Sequence, residues 1–163
     1  MNHERWKSWS RIIAGALVVL SFSMIVSSQE NYKTYVNARF DYSISYPANL
    51  LIPQGEADNA DGQRFLSKDD SAELRVWGSY NVSNEKLKDA YERESSNSEG
   101  RTVSYKLMNG NWFVVSGTED GRIFYQKMML KGDVFKAFRI QYAKSQKARF
   151  DQVVKRIEKS FKG

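Results

Sequence analysis

The sequence predicts an α+β fold, an antiparallel β-sheet of about six to seven strands covered by two helices, and three observations predict it. Residues 40–47 read Phe-Asp-Tyr-Ser-Ile-Ser-Tyr-Pro, so Phe40, Tyr42, Ile44 and Tyr46 alternate with Asp41, Ser43 and Ser45. That is the period of a strand with one buried face, and Pro47, which has no N–H for a ladder, ends it. Downstream, apolar segments are punctuated by Asp69-Asp70, Asn109-Gly110, residues 118–121 and Lys131-Gly132, the residue types that reverse a chain. Two stretches, 83–95 and 145–161, instead carry apolar residues at helical spacing.

The chain has 163 residues and no internal repeat, which bounds it to one domain. Residues 1–28 read as a signal peptide. Arg5, Lys7 and Arg11 form a positive start, residues 12–26 are uncharged and mostly apolar, and Val26-Ser27-Ser28 suits a cut before Gln29. The alternative is an uncut inner-membrane anchor over residues 12–28, although 12–26 is short for a span of about 20 residues. Residues 29–163 form the single domain, placed in the periplasm or outside the cell. No cysteine is present, so neither a lipid-modified cysteine nor a disulfide supports it, and stability rests on packing. Removing three of 25 basic and one of 19 acidic residues with the signal leaves 22 and 18, a formal charge of +4. That surplus is too small for a nucleic-acid binder.

In order, Thr34-Tyr35-Val36 is a candidate edge strand, followed by the strand at 40–47. Residues 47–62 form a long connection, with Leu50, Leu51 and Ile52 against the core and the acidic part, 56–62, at the surface. Residues 63–67 and 72–77 make a hairpin. With Asp69-Asp70 at its centre, Phe65 lies opposite Leu74 and Arg64 opposite Arg75. Phe65, Leu74 and Val76 share the inward face; Arg64, Arg75 and Trp77 share the other. Like charges directly opposed are unfavourable, so the arginine pair calls for an anion. Either a neighbouring carboxylate such as Glu73 supplies it, or an acidic ligand or partner resting beside the Trp77 ring does. Arg64, Arg75 and Trp77 are therefore the candidate partner-binding residues.

The helix at 83–95 has Ser83 as its expected N-cap, Glu85 near its positive end, and Val82 stapled onto Leu87. Leu87, Ala90 and Tyr91 give it a narrow apolar stripe. Asn109-Gly110 is expected at the centre of a second hairpin, setting Leu107 opposite Trp112 and Tyr105 opposite Val114. Residues 122–130 and 133–142 are apolar on both faces, as central, doubly covered strands are. In the last helix Phe150, Val153, Val154, Ile157 and Phe161 face inward, with Lys147, Arg149, Lys155, Arg156 and Lys159 outside. That charged side is either a solvated face or a surface for membrane or an acidic partner.

This order of elements, with the strand-then-proline opening at 40–47, residues 61–67 and 72–78, the Trp112-Phe113-Val114-Val115-Ser116-Gly117 run followed by Tyr125, and the final amphipathic helix, resembles the PsbP-like superfamily. That superfamily includes the extrinsic photosystem II protein, a yeast Ran-binding factor and small bacterial envelope proteins. The resemblance implies an antiparallel sheet with helices on both faces, an α/β/α sandwich. It implies no mechanism and transfers no binding residues, because fold does not fix function.

The chemistry is bounded by absences. The one histidine, His3, belongs to the signal, so residues 29–163 hold neither His nor Cys. That excludes thiol and Ser-His-Asp catalysis, ordinary zinc sites and histidine acid–base work. Ser83-Asn84-Glu85-Lys86 has the S-x-x-K spacing of penicillin-recognising enzymes without their companion motifs, and a capping serine accounts for it better. Residues 58–62 have the look of a calcium loop, but Ala57 and Lys68 occupy the first and twelfth positions of that frame. A weak exposed calcium site drawn from Asp58, Asp61, Asp69 or Asp70 is the remaining metal option; otherwise no metal, cofactor or catalytic residue is indicated. The expected function is an exported, non-catalytic binding or accessory module of the cell envelope acting through protein contacts. The alternatives are a small envelope enzyme using carboxylate, tyrosine or lysine chemistry, and a membrane-surface protein using the basic C-terminal helix.

Overall fold

A computed structural model of the chain describes residues 31–163; the signal or anchor over residues 1–28 and His3 lie outside them. Nine strands and two helices follow in the order β1 (Tyr32–Asn37), β2 (Tyr42–Pro47), β3 (Ile52–Glu56), β4 (Gly62–Leu66), β5 (Ala72–Tyr80), α1 (Leu87–Glu94), β6 (Arg101–Asn109), β7 (Trp112–Glu119), β8 (Arg122–Lys131), β9 (Val134–Ala143) and α2 (Lys147–Ser160). Seven strands form one antiparallel sheet in the order β3-β4-β5-β9-β8-β7-β6, and β1-β2 is a separate two-stranded sheet. The strands expected to be central, β8 and β9, are central.

Each face of the large sheet carries its own core. On one face Phe65, Leu74, Val76, Phe138 and Ile140 pack with Phe150, Val153, Val154 and Ile157 of α2 and with Phe40, Tyr42, Ile44 and Tyr46. On the other, Phe113, Val115, Phe124, Met128, Phe135 and Ala137 pack with Leu87 and Ala90 of α1. The full α/β/α sandwich does not form. Among the described residues there are only two α-helices, the first face is shared between α2 and the β1-β2 hairpin, and the eight-residue α1 leaves much of the other face open.

The strand at 40–47 shows the expected alternation, but it joins the core as part of a hairpin laid across the sheet rather than as a sheet member. Its other edge is taken by the chain end, where Ser43 and Lys162 exchange backbone hydrogen bonds at 2.9 and 3.0 Å. Phe40 seats this hairpin on Gly78 of β5, where a Cβ would lie 2.5 Å from the Phe40 ring. The expected long connection at 47–62 contains β3, which pairs with β4 through a bulge between Pro53 and Glu56. All five β3 residues are exposed, including Ile52, so no apolar alternation marks the strand.

Two local readings are also corrected. Helix α1 begins at Leu87 rather than after Ser83, and no side chain caps it. The Asn81 amide instead grips the Glu85 backbone, accepting from its N–H at 2.9 Å and donating to its carbonyl at 2.9 Å. Residues 81–85 become an irregular turn with Val82 88% exposed, so no staple forms. The second hairpin turns at Gly110-Asn111, with Gly110 at φ +58. Leu107 therefore pairs with Val114 and Tyr105 with Ser116. Only the first central residue needs a positive φ, the form led by glycine. The shift is two residues, so Leu107 and Tyr105 keep their faces, and a bulge between Val103 and Tyr105 changes the register beyond them.

Candidate functional site

The first hairpin has the expected register, Phe65 opposite Leu74 and Arg64 opposite Arg75. Neighbouring ladders extend that arginine pair into a transverse row, because Arg75 pairs with Arg139 and Arg139 with Gln126. One row away, Trp77 pairs with Ala137, and Ala137 with Met128. Side chains two apart on a strand share a face, so both rows look out from the face that α1 leaves open.

Above them lies a cleft of about 600 Å³. Arg64, Arg75, Arg139, Trp77, Gln126 and Met128 line it from the sheet, Gln54, Glu56 and Asp61 from β3 and the loop after it, and Glu94 from the end of α1. A smaller concavity of about 220 Å³ is lined by Glu73, Arg75, Glu119, Arg139 and Gln141. The structure thus brings Arg64, Arg75 and Trp77 into one cleft. Sequence reading missed Arg139 and Gln126, whose one signal is polarity inside otherwise apolar central strands, and Glu119, which falls in the expected turn at 118–121 and is the last residue of β7.

The anion that the opposed arginines require is Glu73. The Arg64 Nε donates to Glu73 Oε1 at 3.0 Å, and the Arg75 Nε donates to the same oxygen. Burial would raise the Glu73 carboxyl, but the Arg75 and Arg64 hydrogen bonds outweigh it and hold it below the ordinary carboxylate range. Glu119 is shared in the same way, accepting from Arg101 at 2.8 Å and from Arg139, with Gln141 donating at 2.9 Å. Burial again pushes upward, and the Arg101 hydrogen bond with the Arg139 and Arg101 charges lowers it. Phe124 supports both cations, its ring centre 4.3 Å from the Arg101 guanidinium and 4.6 Å from that of Arg139.

One carboxylate is therefore divided between two arginines, twice. Three acids also line the cleft: Glu56 accepts from Tyr35 and Asp61 from Asn59, while Glu94 accepts from the Gln126 amide and lies 3.8 Å from Arg101 and 3.6 Å from Arg93. Arg64 and Arg75 are 54% and 55% exposed in their side chains, within reach of an incoming anion. Beside them Trp77 and Met128 supply apolar surface.

The other sequence candidates are dispersed. Asp58 and Asp61 lie before β4 and Asp69 and Asp70 after it, so no single site gathers the four aspartates. Asp69 is committed to its turn, where hydrogen bonds from Ser71 and Ser67 lower its carboxyl to about 2. Among the described residues no group of three or more acids is placed to hold a metal. Ser83 and Lys86 sit in the exposed turn before α1. Glu73 and Glu119 are held ionised, the state of counterions rather than proton donors. Lys136, whose charge burial disfavours, donates to the Asp41 carbonyl at 2.7 Å, outside the cleft. No helix of the described residues is long and apolar enough to cross a membrane.

No family model matches the chain, and no curated protein matches it. Among solved structures it is similar to cyanobacterial PsbP (CyanoP) from Synechocystis sp. PCC 6803, with a TM-score of 0.59 and 13% identity, over 84% of this chain and 95% of that one. The chain has a PsbP-like fold.

Proposed function

We propose that this protein is an exported, non-catalytic accessory module that holds an acidic protein partner against its open sheet face. The observation that carries the proposal is the shared carboxylate. Glu73 takes only the Nε of Arg64 and Arg75, so the terminal guanidinium nitrogens of both exposed arginines are left on one wall of the cleft for an incoming carboxylate. Guanidinium forks match carboxylates in geometry, and the Trp77 ring beside them gives a partner's apolar side chain a flat seat. The signal-like character of residues 1–28 supports export, and the lack of His and Cys in 29–163 supports binding rather than catalysis.

The test is capture of partners from envelope extracts of the source cell by the wild-type chain and by Arg75→Glu. Reversing a charge that faces an acidic partner lowers retention by about tenfold or more, and added salt mimics the effect. Lys88→Glu, at a side chain 71% exposed on α1 and paired only with Glu92, leaves retention unchanged. Equal capture by wild type and Arg75→Glu contradicts the proposal.

A further inference from the structure

Helix α2 carries a second, separate surface on the opposite side of the sheet. Phe150, Val153, Val154 and Ile157 are buried. At 3.6 residues per turn, the side pointing away from them holds Ala148, Gln152, Lys155 and Lys159, with Arg149 and Arg156 on one flank, all exposed. The two acids of the helix lie on the other flank, and each is tied to a lysine. Asp151 accepts from Lys147 at 2.5 Å, and Glu158 from Lys127 of β8 at 2.5 Å. The outward side thus presents Lys155 and Lys159, with Arg156 beside them, and neither acid of the helix lies on it.

The chain enters the described domain at this same flank. The Arg156 guanidinium lies 3.8 Å from the centre of the Tyr32 ring, at the first residue of β1. Five residues lie between Val26 and Tyr32, six Cα–Cα steps with a reach of at most about 20 Å. While the chain is uncut, the end of the uncharged run at 12–26 can lie no farther than that from the Arg156 flank of α2.

We infer that the outer face of α2 docks on an anionic lipid surface, turning the cleft on the opposite sheet face away from the bilayer. Charge complementarity and the position of the apolar leader both point to lipid. Cations close to an anionic leaflet add attraction one by one and lose it within a Debye length. Ala148 and Gln152 at the centre of the outward side give no apolar wedge, so the contact is electrostatic rather than inserted. This inference does not rest on the cleft having a partner.

The chain has no cysteine, so one introduced cysteine is a unique label. The full chain is labelled with a fluorophore at Gln152→Cys on α2, or at Gln54→Cys beside the cleft, and mixed with vesicles carrying a headgroup quencher. One vesicle is phosphatidylcholine; the other is equal parts phosphatidylcholine and phosphatidylglycerol. Quenching at Gln152→Cys in the mixed vesicles, absent at Gln54→Cys and removed by salt, is the expected result. Lys155→Gln and Lys159→Gln each weaken the association by roughly fivefold. Equal quenching at the two positions, equal quenching in the two vesicles, or indifference to the lysine substitutions overturns the inference.

Discussion

Arg64 and Arg75 show how much a single residue pair discloses. Their opposition follows from a hairpin closed by one short turn, so local spacing is enough to find them, and the shared Glu73 follows from the same register. Arg139 is 64 positions from Arg75 in the chain, yet it is Arg75's direct ladder partner. Such a pairing depends on which strand lies beside which, and no local pattern encodes it. The glutamates make a pH prediction. The folded pKa of Glu73 and of Glu119 lies below the unfolded carboxylate value of about 4.3, so the unfolded state takes up protons first. Their contribution is complete above that value and is lost as pH falls through the folded one. Glu119→Gln flattens the acid side of a stability–pH curve; a curve of unchanged shape means the arginines do not hold Glu119. Gly78 makes a steric prediction. Its φ is ordinary, so the Phe40 side chain, whose own Cβ would lie 2.6 Å and ring 2.5 Å away, is what excludes a Cβ. Gly78→Ala costs roughly 1–3 kcal/mol in denaturant unfolding, and no loss means that Phe40 is not seated on Gly78.

At the scale of elements, legibility tracked buried apolar periodicity. The α2 stripe and the two-faced β8 and β9 were readable because their packing is written in residue types. β3 was not, since its five residues are exposed and its strand character comes from pairing with β4. The start of α1 misled because Ser83 is a good cap in isolation, whereas the Asn81 side chain satisfies the local backbone first. Asn81→Ala removes both bonds and costs about 1–2 kcal/mol, while Ser83→Ala is nearly neutral, a contrast that thermal unfolding of the two variants checks. Ile157 is fully buried in α2 against the sheet. Ile157→Ala costs about 2–5 kcal/mol; a smaller loss means the helix is not seated as described.

Across the whole molecule, the two faces of one sheet have divided the work. One is closed by α2 and the β1-β2 hairpin and supplies much of the packing that a chain without disulfides requires. The other is roofed only in part by α1, and the uncovered part carries the arginine row and Trp77. A covered face was predictable from apolar alternation; an incompletely covered one was not, because helix length relative to sheet width sets it. The most direct test of the central claim is arginine-selective chemical footprinting of the chain in its native compartment and after purification. Arg64 and Arg75 are expected to react readily in the purified protein and to be protected in the compartment, while the similarly exposed Arg93 reacts alike in both. Equal reactivity of Arg64 and Arg75 in the two settings would contradict the claim.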